Sequence, residues 1–345
     1  MRVRLAKRSI LVGILAVALA GSWFAMIRMP GESHQGPLPP ATDELRALEQ
    51  ELRSYVYALA GQIGERNLFR YNNLVKAAEH IQSTLSQAGY QVNKQTYEVS
   101  GQVSENIEAE VRGTDSPDEI LVIGAHYDSV KGSPGANDNG SGVAAMLALA
   151  RTFANTQPRR TVRFLAFTNE EPPFFQTQHM GSRVYAKRSR ERKENIIFML
   201  SLETIGYYSD EPGSQSYPFP LNFIYPSTGN FIAFVSNMEN GALVRQMIGD
   251  FRLNTPFPSE GGALFGWIPG VGWSDHWAFW KEDFPSIMVT DTALFRYPAY
   301  HTSGDTPEKI DYLRMARVVS GLHHVIADIA NQPANPDSTG KMKVR

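Results

Sequence analysis

The residues that could do chemistry fall just past apolar runs. His126 and Asp128 follow the run 120–123 two residues apart, so on extended backbone they share one side of the chain. A carboxylate able to accept a histidine's second ring proton is the arrangement that orients a metal-ligating imidazole. Asp138 precedes the segment Gly140-Ser141-Gly142 and the helix-like run 143–153, where a helix N-terminus favours negative charge. Taken alone, it reads as a helix cap. Glu170 and Glu171 follow the run 161–167, and Glu203 closes the run 196–202. Adjacent side chains on extended backbone point opposite ways, so one of the Glu170-Glu171 pair can hold a metal while the other faces substrate. Taken alone, the pair reads equally as two solvated loop acids. His301 lies in a Pro/Gly loop, 300–307, after another apolar segment at 286–290.

Together His126, Asp138, Glu171, Glu203 and His301 suit two zinc ions if one carboxylate bridges. Nitrogen and oxygen donors without thiolate are those of a hydrolytic zinc site. Three carboxylates against two divalent cations leave a net charge of +1, which one hydroxide would cancel. Glu170, off the metals, is placed to take a proton from water and to return it to a leaving amine.

Such a constellation needs a sheet to position it. Strand and helix patterns alternate from residue 120: strands at 161–167 and 196–202, helices at 141–154, about 180–190 and about 228–240. Apolar segments at 221–225 and 286–290 and a helix at 312–330 follow. Upstream, helices are expected from Thr42 or Asp43 to about Ala60 and from Asn72 to Ala88, closed by Gly89, then an antiparallel pair at 91–99 and 106–112. The class is α/β: a three-layer, mostly parallel mixed sheet flanked by helices, whose strand ends form the ligand-binding edge. Gly140-Ser141-Gly142 is no dinucleotide fingerprint, because a loop of about ten residues separates it from the strand.

The chain has 345 residues, enough for one large α/β domain, and its formal charge of −2 gives no nucleic-acid footprint. The charge is uneven. Residues 1–30 carry Arg2, Arg4, Lys7, Arg8 and Arg28 with no acid, and the remainder is net −7. Nineteen uncharged residues, 9–27, follow the basic start. Two fates stay open: a membrane-spanning anchor, or an export signal cleaved after Ala18-Leu19-Ala20. Either places residues 31–345 on the non-cytoplasmic side. The expected organisation is therefore a signal-anchor or signal peptide at 1–29, a linker at 30–41, a domain at 42–331 and a disordered tail at 332–345. The chain has no cysteine, which excludes a disulfide framework.

The set His-x-Asp, Asn-Asp-Asn-Gly-Ser-Gly, Glu-Glu and a distant His-Thr followed by Asp-Thr resembles the M28 family of zinc peptidases, over about residues 70–330. The resemblance implies a zinc-dependent exopeptidase-like fold and two zinc ions. Asp138 would bridge them, His126 and Glu203 completing one shell, Glu171 and His301 the other. Glu170 would be the catalytic base and Asp128 the partner of the first histidine. Position 203 is often Asp in the family's aminopeptidases; here it is Glu, one methylene longer. Ser274-Asp275-His276 also resembles a segment beside the family's site. The implied activity is release of residues from a peptide terminus, most readily as an aminopeptidase; a carboxypeptidase would need a basic group, for which Arg183 and Arg296 are candidates. Two other readings are a glutaminyl cyclase, which resembles these peptidases and uses one zinc, and a non-catalytic partner-binding ectodomain. Phe174, Phe175, Trp267, Phe295, Tyr297 and Tyr300 are candidate pocket walls.

Overall fold

The computed structural model describes Gly21 and residues 26–333. The expected N-terminal apolar segment falls almost wholly outside the described residues, as does most of the expected tail. Among the described residues no helix is long and apolar enough to cross a membrane.

Among the described residues eight strands form one mixed sheet: β1 (Asn93–Val99), β2 (Gln102–Val111), β3 (Ser116–His126), β4 (Arg160–Phe167), β5 (Asn195–Glu203), β6 (Ile232–Asn237), β7 (Ser259–Leu264) and β8 (Ser286–Thr290). Their order is β1-β2-β4-β3-β5-β8-β6-β7. β4, β3, β5 and β8 run parallel, as do β6 and β7, while β2 meets β4 and β6 meets β8 antiparallel. The longer helices are α1 (Asp43–Val56), α2 (Tyr71–Gln87), α3 (Gly142–Phe153), α4 (Gly181–Glu191), α5 (Gly241–Asn254) and α6 (Tyr312–Asn331).

Alternation along β3 shows the layering. Leu121, Ile123 and Ala125 join α1, α2, α3, α5 and α6 in one core, whereas Ile120 and Val122 pack with Tyr185 and Ala186 of α4 and with Phe279 on the other face. A sheet covered on both faces explains why β3 and β4 read as continuous apolar runs. Gly142 opens α3 because nothing larger fits: a Cβ there would lie 2.3 Å from the Leu202 carbonyl and from Asn139 Oδ1. The close approach brings the start of α3 against the end of β5.

The expected helix at 228–240 is instead β6 followed by a separate helix, α5. Residues 231–235 are all apolar and 233–235 pair on both sides within the sheet, and a run that short has no period to separate strand from helix. Asn237 then accepts the backbone N–H of Asn240 and turns the chain into α5. β7, whose Gly261-Gly262 lacks side chains, was not expected at all. The segment at 221–225 is a single turn, Leu221–Phe223. Residues 30–39 lie along the domain: Arg252 donates to the carbonyls of Pro30 and Gly31, and Arg317 to that of Pro39.

Candidate metal centre

β3 has β4 on one side and β5 on the other, and its carboxyl end is where the connections leave in opposite directions, the crevice at which open α/β sheets bind ligands. His126 is its last residue. Glu203 is the last residue of β5, and Glu170 and Glu171 follow β4. Asp138 comes from the turn before α3, and His301 from the loop after β8. All seven residues expected from the sequence meet here.

Their spacing suits metal. His126 Nε2 lies 3.4 Å from Asp138 Oδ1, 3.3 Å from Glu203 Oε2 and 3.7 Å from Glu170 Oε2. His301 Nε2 lies 3.0 Å from Asp138 Oδ2 and 3.2 Å from Glu171 Oε2. Two donors at ordinary zinc distances in a tetrahedral shell stand about 3.3 Å apart. Asp138 therefore faces two donor groups, one with each oxygen. Donor atoms of His126, Glu170 and Glu203 fall within 4.8 Å of one another, and so do those of Asp138, Glu171 and His301. Buried His126 Nε2 and Glu171 Oε1 have no hydrogen-bond partner in the protein, as befits atoms reserved for a ligand. The donor set fits zinc on chemistry and spacing alike.

Further residues hold the donors in place. The Asp128 carboxylate accepts the backbone N–H groups of Glu170 and Glu171, at 3.2 and 3.1 Å. His126 Nδ1 stands nearer the Asp128 carbonyl, at 3.3 Å, than its carboxylate, at 3.6 Å. Asp305 accepts the N–H groups of Asn137 and Asp138, at 2.8 and 3.0 Å, and the Tyr297 hydroxyl donates to it. Asn139 Oδ1 accepts from Gly142 and Thr204, and its amide donates to Leu202 O, tying the turn to β5. Ser274 donates to Glu203 Oε2 at 2.7 Å. His276 points away, its Nε2 2.8 Å from the Val271 carbonyl.

Three further residues support the site. Arg66, fully buried, donates to the carbonyls of Tyr127, Pro134 and Gly135 and so shapes the loop between His126 and Asp138. Asp291, buried, accepts from Asn137 Nδ2 and Tyr207 N. Asp275, also buried, adds negative charge beside Glu170. Arg66 and Asp291 have no local sequence signal, because these partners lie tens of residues away, whereas Asp275 stands in the segment Ser274-Asp275-His276 singled out by resemblance.

The electrostatics follow from crowding acids in a dry place. Burial, reinforced by Asp138, pushes Glu171 up to about 7, and burial also raises Glu170 and Glu203. Burial alone would lower His301, but hydrogen bonds to Asp138 and Glu171 outweigh it and raise it to about 10. For Asp138, burial is overcome by the two histidines that face its oxygens, and its carboxyl sits below the usual range. Burial brings Arg66 down to about 10 even with Asp128 and Asp305 nearby. Divalent cations among these oxygens would favour the ionised carboxylates and neutral imidazoles.

Beside Glu203 opens a pocket walled by Tyr217, Tyr225, Trp273, Phe295 and Tyr300 and lined by no basic residue. Of the aromatic residues expected in a pocket wall, Phe295 and Tyr300 are there. Trp267 stands exposed outside it, Tyr297 is buried beside Asp305, and Phe174 and Phe175 are not among the lining residues. The pocket floor follows from strand register: Glu203, Thr290, Ala233 and Glu260 are partners in one row across β5, β8, β6 and β7.

Among known proteins, the uncharacterized protein YfbL of Escherichia coli is 38% identical over 294 residues, covering 80% of this chain and 87% of that one. Aminopeptidase YwaD of Bacillus subtilis is 33% identical over 226 residues, covering 65% of this chain but only 44% of its own length. By fold, the chain is similar to a zinc aminopeptidase from Bacillus subtilis, with TM-score 0.66 and 16% identity over 86% of this chain and 98% of that one. It is also similar to a Fimbriiglobus ruber glutaminyl cyclase, with TM-score 0.61 and 18% identity over 89% and 100%. The family model that matches, peptidase family M28, spans residues 106–326, a range that includes every expected site residue from His126 to His301, and by that match the chain belongs to peptidase family M28.

Proposed function

We propose that this M28 peptidase is an aminopeptidase that works with two zinc ions. The observation that carries the two-ion reading is Asp138, whose two oxygens face two separate histidines, each with its own glutamate. Bound there, zinc supplies a Lewis acid that polarises the scissile carbonyl and makes water acidic enough to attack at neutral pH.

The chain's residues do the rest. His126, Asp138 and Glu203 would hold one ion, Asp138, Glu171 and His301 the other. Glu170 takes the proton of the attacking water and delivers it to the leaving amine, a role that suits a carboxyl raised by burial toward the working pH. Asp128 fixes the backbone that carries Glu170 and Glu171. Amino-terminal polarity is supported by the lining of the pocket beside Glu203, which among the described residues holds no basic side chain for a substrate carboxylate. Arg183 is paired with Glu282, and buried Arg296 is bound to Gln215 Oε1 and the Phe231 carbonyl. The acidic site instead suits a free ammonium.

The experiment is a digest of a peptide library by the zinc-loaded full chain, read by mass spectrometry, with zinc counted by elemental analysis. Release from the amino end with two zincs per chain is expected; release from the carboxyl end would refute the polarity. The fold neighbour among glutaminyl cyclases supports a second reading. One zinc per chain together with cyclisation of amino-terminal glutamine, and no hydrolysis, would replace the first reading with it.

A further inference from the structure

Among the described residues, three of the four most exposed large apolar side chains fall on two neighbouring stretches, the fourth being Leu253 of α5. Phe219, Phe223 and Trp267 are 83%, 77% and 78% exposed, and Phe265 and Trp273 lie partly exposed on the same stretches of chain. Phe219 packs edge-on against Phe223, and Phe265 stacks on Trp267. Between them Leu221, Leu264 and Val271 form a small core that the two stretches share. Those stretches belong to segments 212–238 and 261–274, neither of which contains a charged residue, in a chain that is 20% charged. An uncharged surface bearing several exposed aromatic rings is unusual for a face left in water.

Where the chain enters the domain says what covers this face. Met26 and Ile27 pack against the same small core. They are the last two residues of the uncharged stretch 9–27, which is long enough to span a bilayer and follows Arg2, Arg4, Lys7 and Arg8. A membrane-spanning stretch that joined the domain here would bring the lipid surface to the aromatic rings. Phenylalanine, tryptophan and tyrosine beside a membrane helix are the residues that settle at the headgroup level.

We propose that this face docks on a lipid bilayer, Phe219, Phe223 and Trp267 entering the headgroup region. Tyr217, Leu221, Ile268 and Trp273 both border this face and line the pocket beside Glu203. The pocket mouth therefore lies at the bilayer surface, and substrate chains reach the site along the membrane. The proposal does not depend on the hydrolytic reading.

The cysteine-free chain permits a direct test. Phe223→Cys, Trp267→Cys and, as a control near the opposite edge of the sheet, Val103→Cys are each made in the full chain. Each is labelled with an environment-sensitive nitrobenzoxadiazole and reconstituted into phosphatidylethanolamine–phosphatidylglycerol vesicles. All three sites are exposed, so folding should survive, and circular dichroism checks it. At 223 and 267 the emission should shift to the blue and be quenched several-fold more than at 103 by doxyl-labelled lipid. Equal quenching at all three positions would overturn the proposal. So would a blue shift without lipid quenching at 223 and 267, which would mean that a second copy of the chain covers the face.

Discussion

Asp128 Oδ2 accepts the backbone N–H of Glu171 at 3.1 Å, while its other oxygen takes that of Glu170 at 3.2 Å. One carboxylate at the end of β3 thus sets the position of two functional glutamates at the end of β4. Asp128→Asn presents an amide hydrogen to one of those N–H groups. Metal affinity or kcat should fall by about 10- to 100-fold, as for other residues that orient ligands. Zinc analysis and steady-state kinetics, measured together, check this; an unchanged enzyme would remove Asp128 from the machinery.

Glu170 is expected to move protons without being needed to hold metal. Glu170→Gln should keep its zinc and lose about 10²- to 10⁴-fold in kcat. Loss of zinc along with activity would make it a ligand instead, a sharp distinction because its Oε2 lies only 3.7 Å from His126 Nε2.

Zinc uptake should release protons. Without metal, hydrogen bonds to Asp138 and Glu171 hold His301 up to about 10 and burial pushes Glu171 up to about 7, so at neutral pH the first is protonated and the second partly so, and zinc must displace those protons. The sign is fixed: affinity rises as pH rises. Calorimetric titrations in two buffers of different ionisation enthalpy should give different apparent heats, and identical heats would contradict the assignment.

His276 offers a test of stability apart from the metal. Burial pulls it down from 6.5 to about 4, its ring stays neutral, and its Nε2 faces the Val271 carbonyl. The unfolded chain binds a proton below about pH 6.5 and the folded chain resists until about 4. The contribution is therefore intact above 6.5 and shrinks as pH falls through that window, by about 3 kcal/mol. His276→Gln should flatten the dependence of the urea midpoint between pH 4 and 7; a slope equal to that of the unaltered chain would rule this out.

Of the candidate donors, His126, Glu171 and Glu203 were legible in the sequence because each follows or closes an apolar run read as a buried strand, and strand ends are where such sheets bind ligands. The helix misassigned at 228–240 shows the limit. The run 231–235 is uniformly apolar and short, and pairing with β8 and β7 decided what periodicity could not. Arg66 was invisible for another reason: its acceptors are backbone carbonyls at 127, 134 and 135, to which any residue type contributes equally. Asp305 holds Asn137 and Asp138, a relationship that only the completed fold brings about.

That relationship also bears on biosynthesis. The hydrogen bond from Asp138 N to Asp305 joins residues 167 apart, and His301 is nearly as distant. At ordinary elongation rates, roughly ten to thirty seconds pass between synthesis of the first carboxylate and of its anchor. Throughout that interval the emerging chain carries His126 and Asp138 without the groups that fix them. The complete donor set assembles only after the last strand has joined the sheet, so a competent site and a finished fold come into being together.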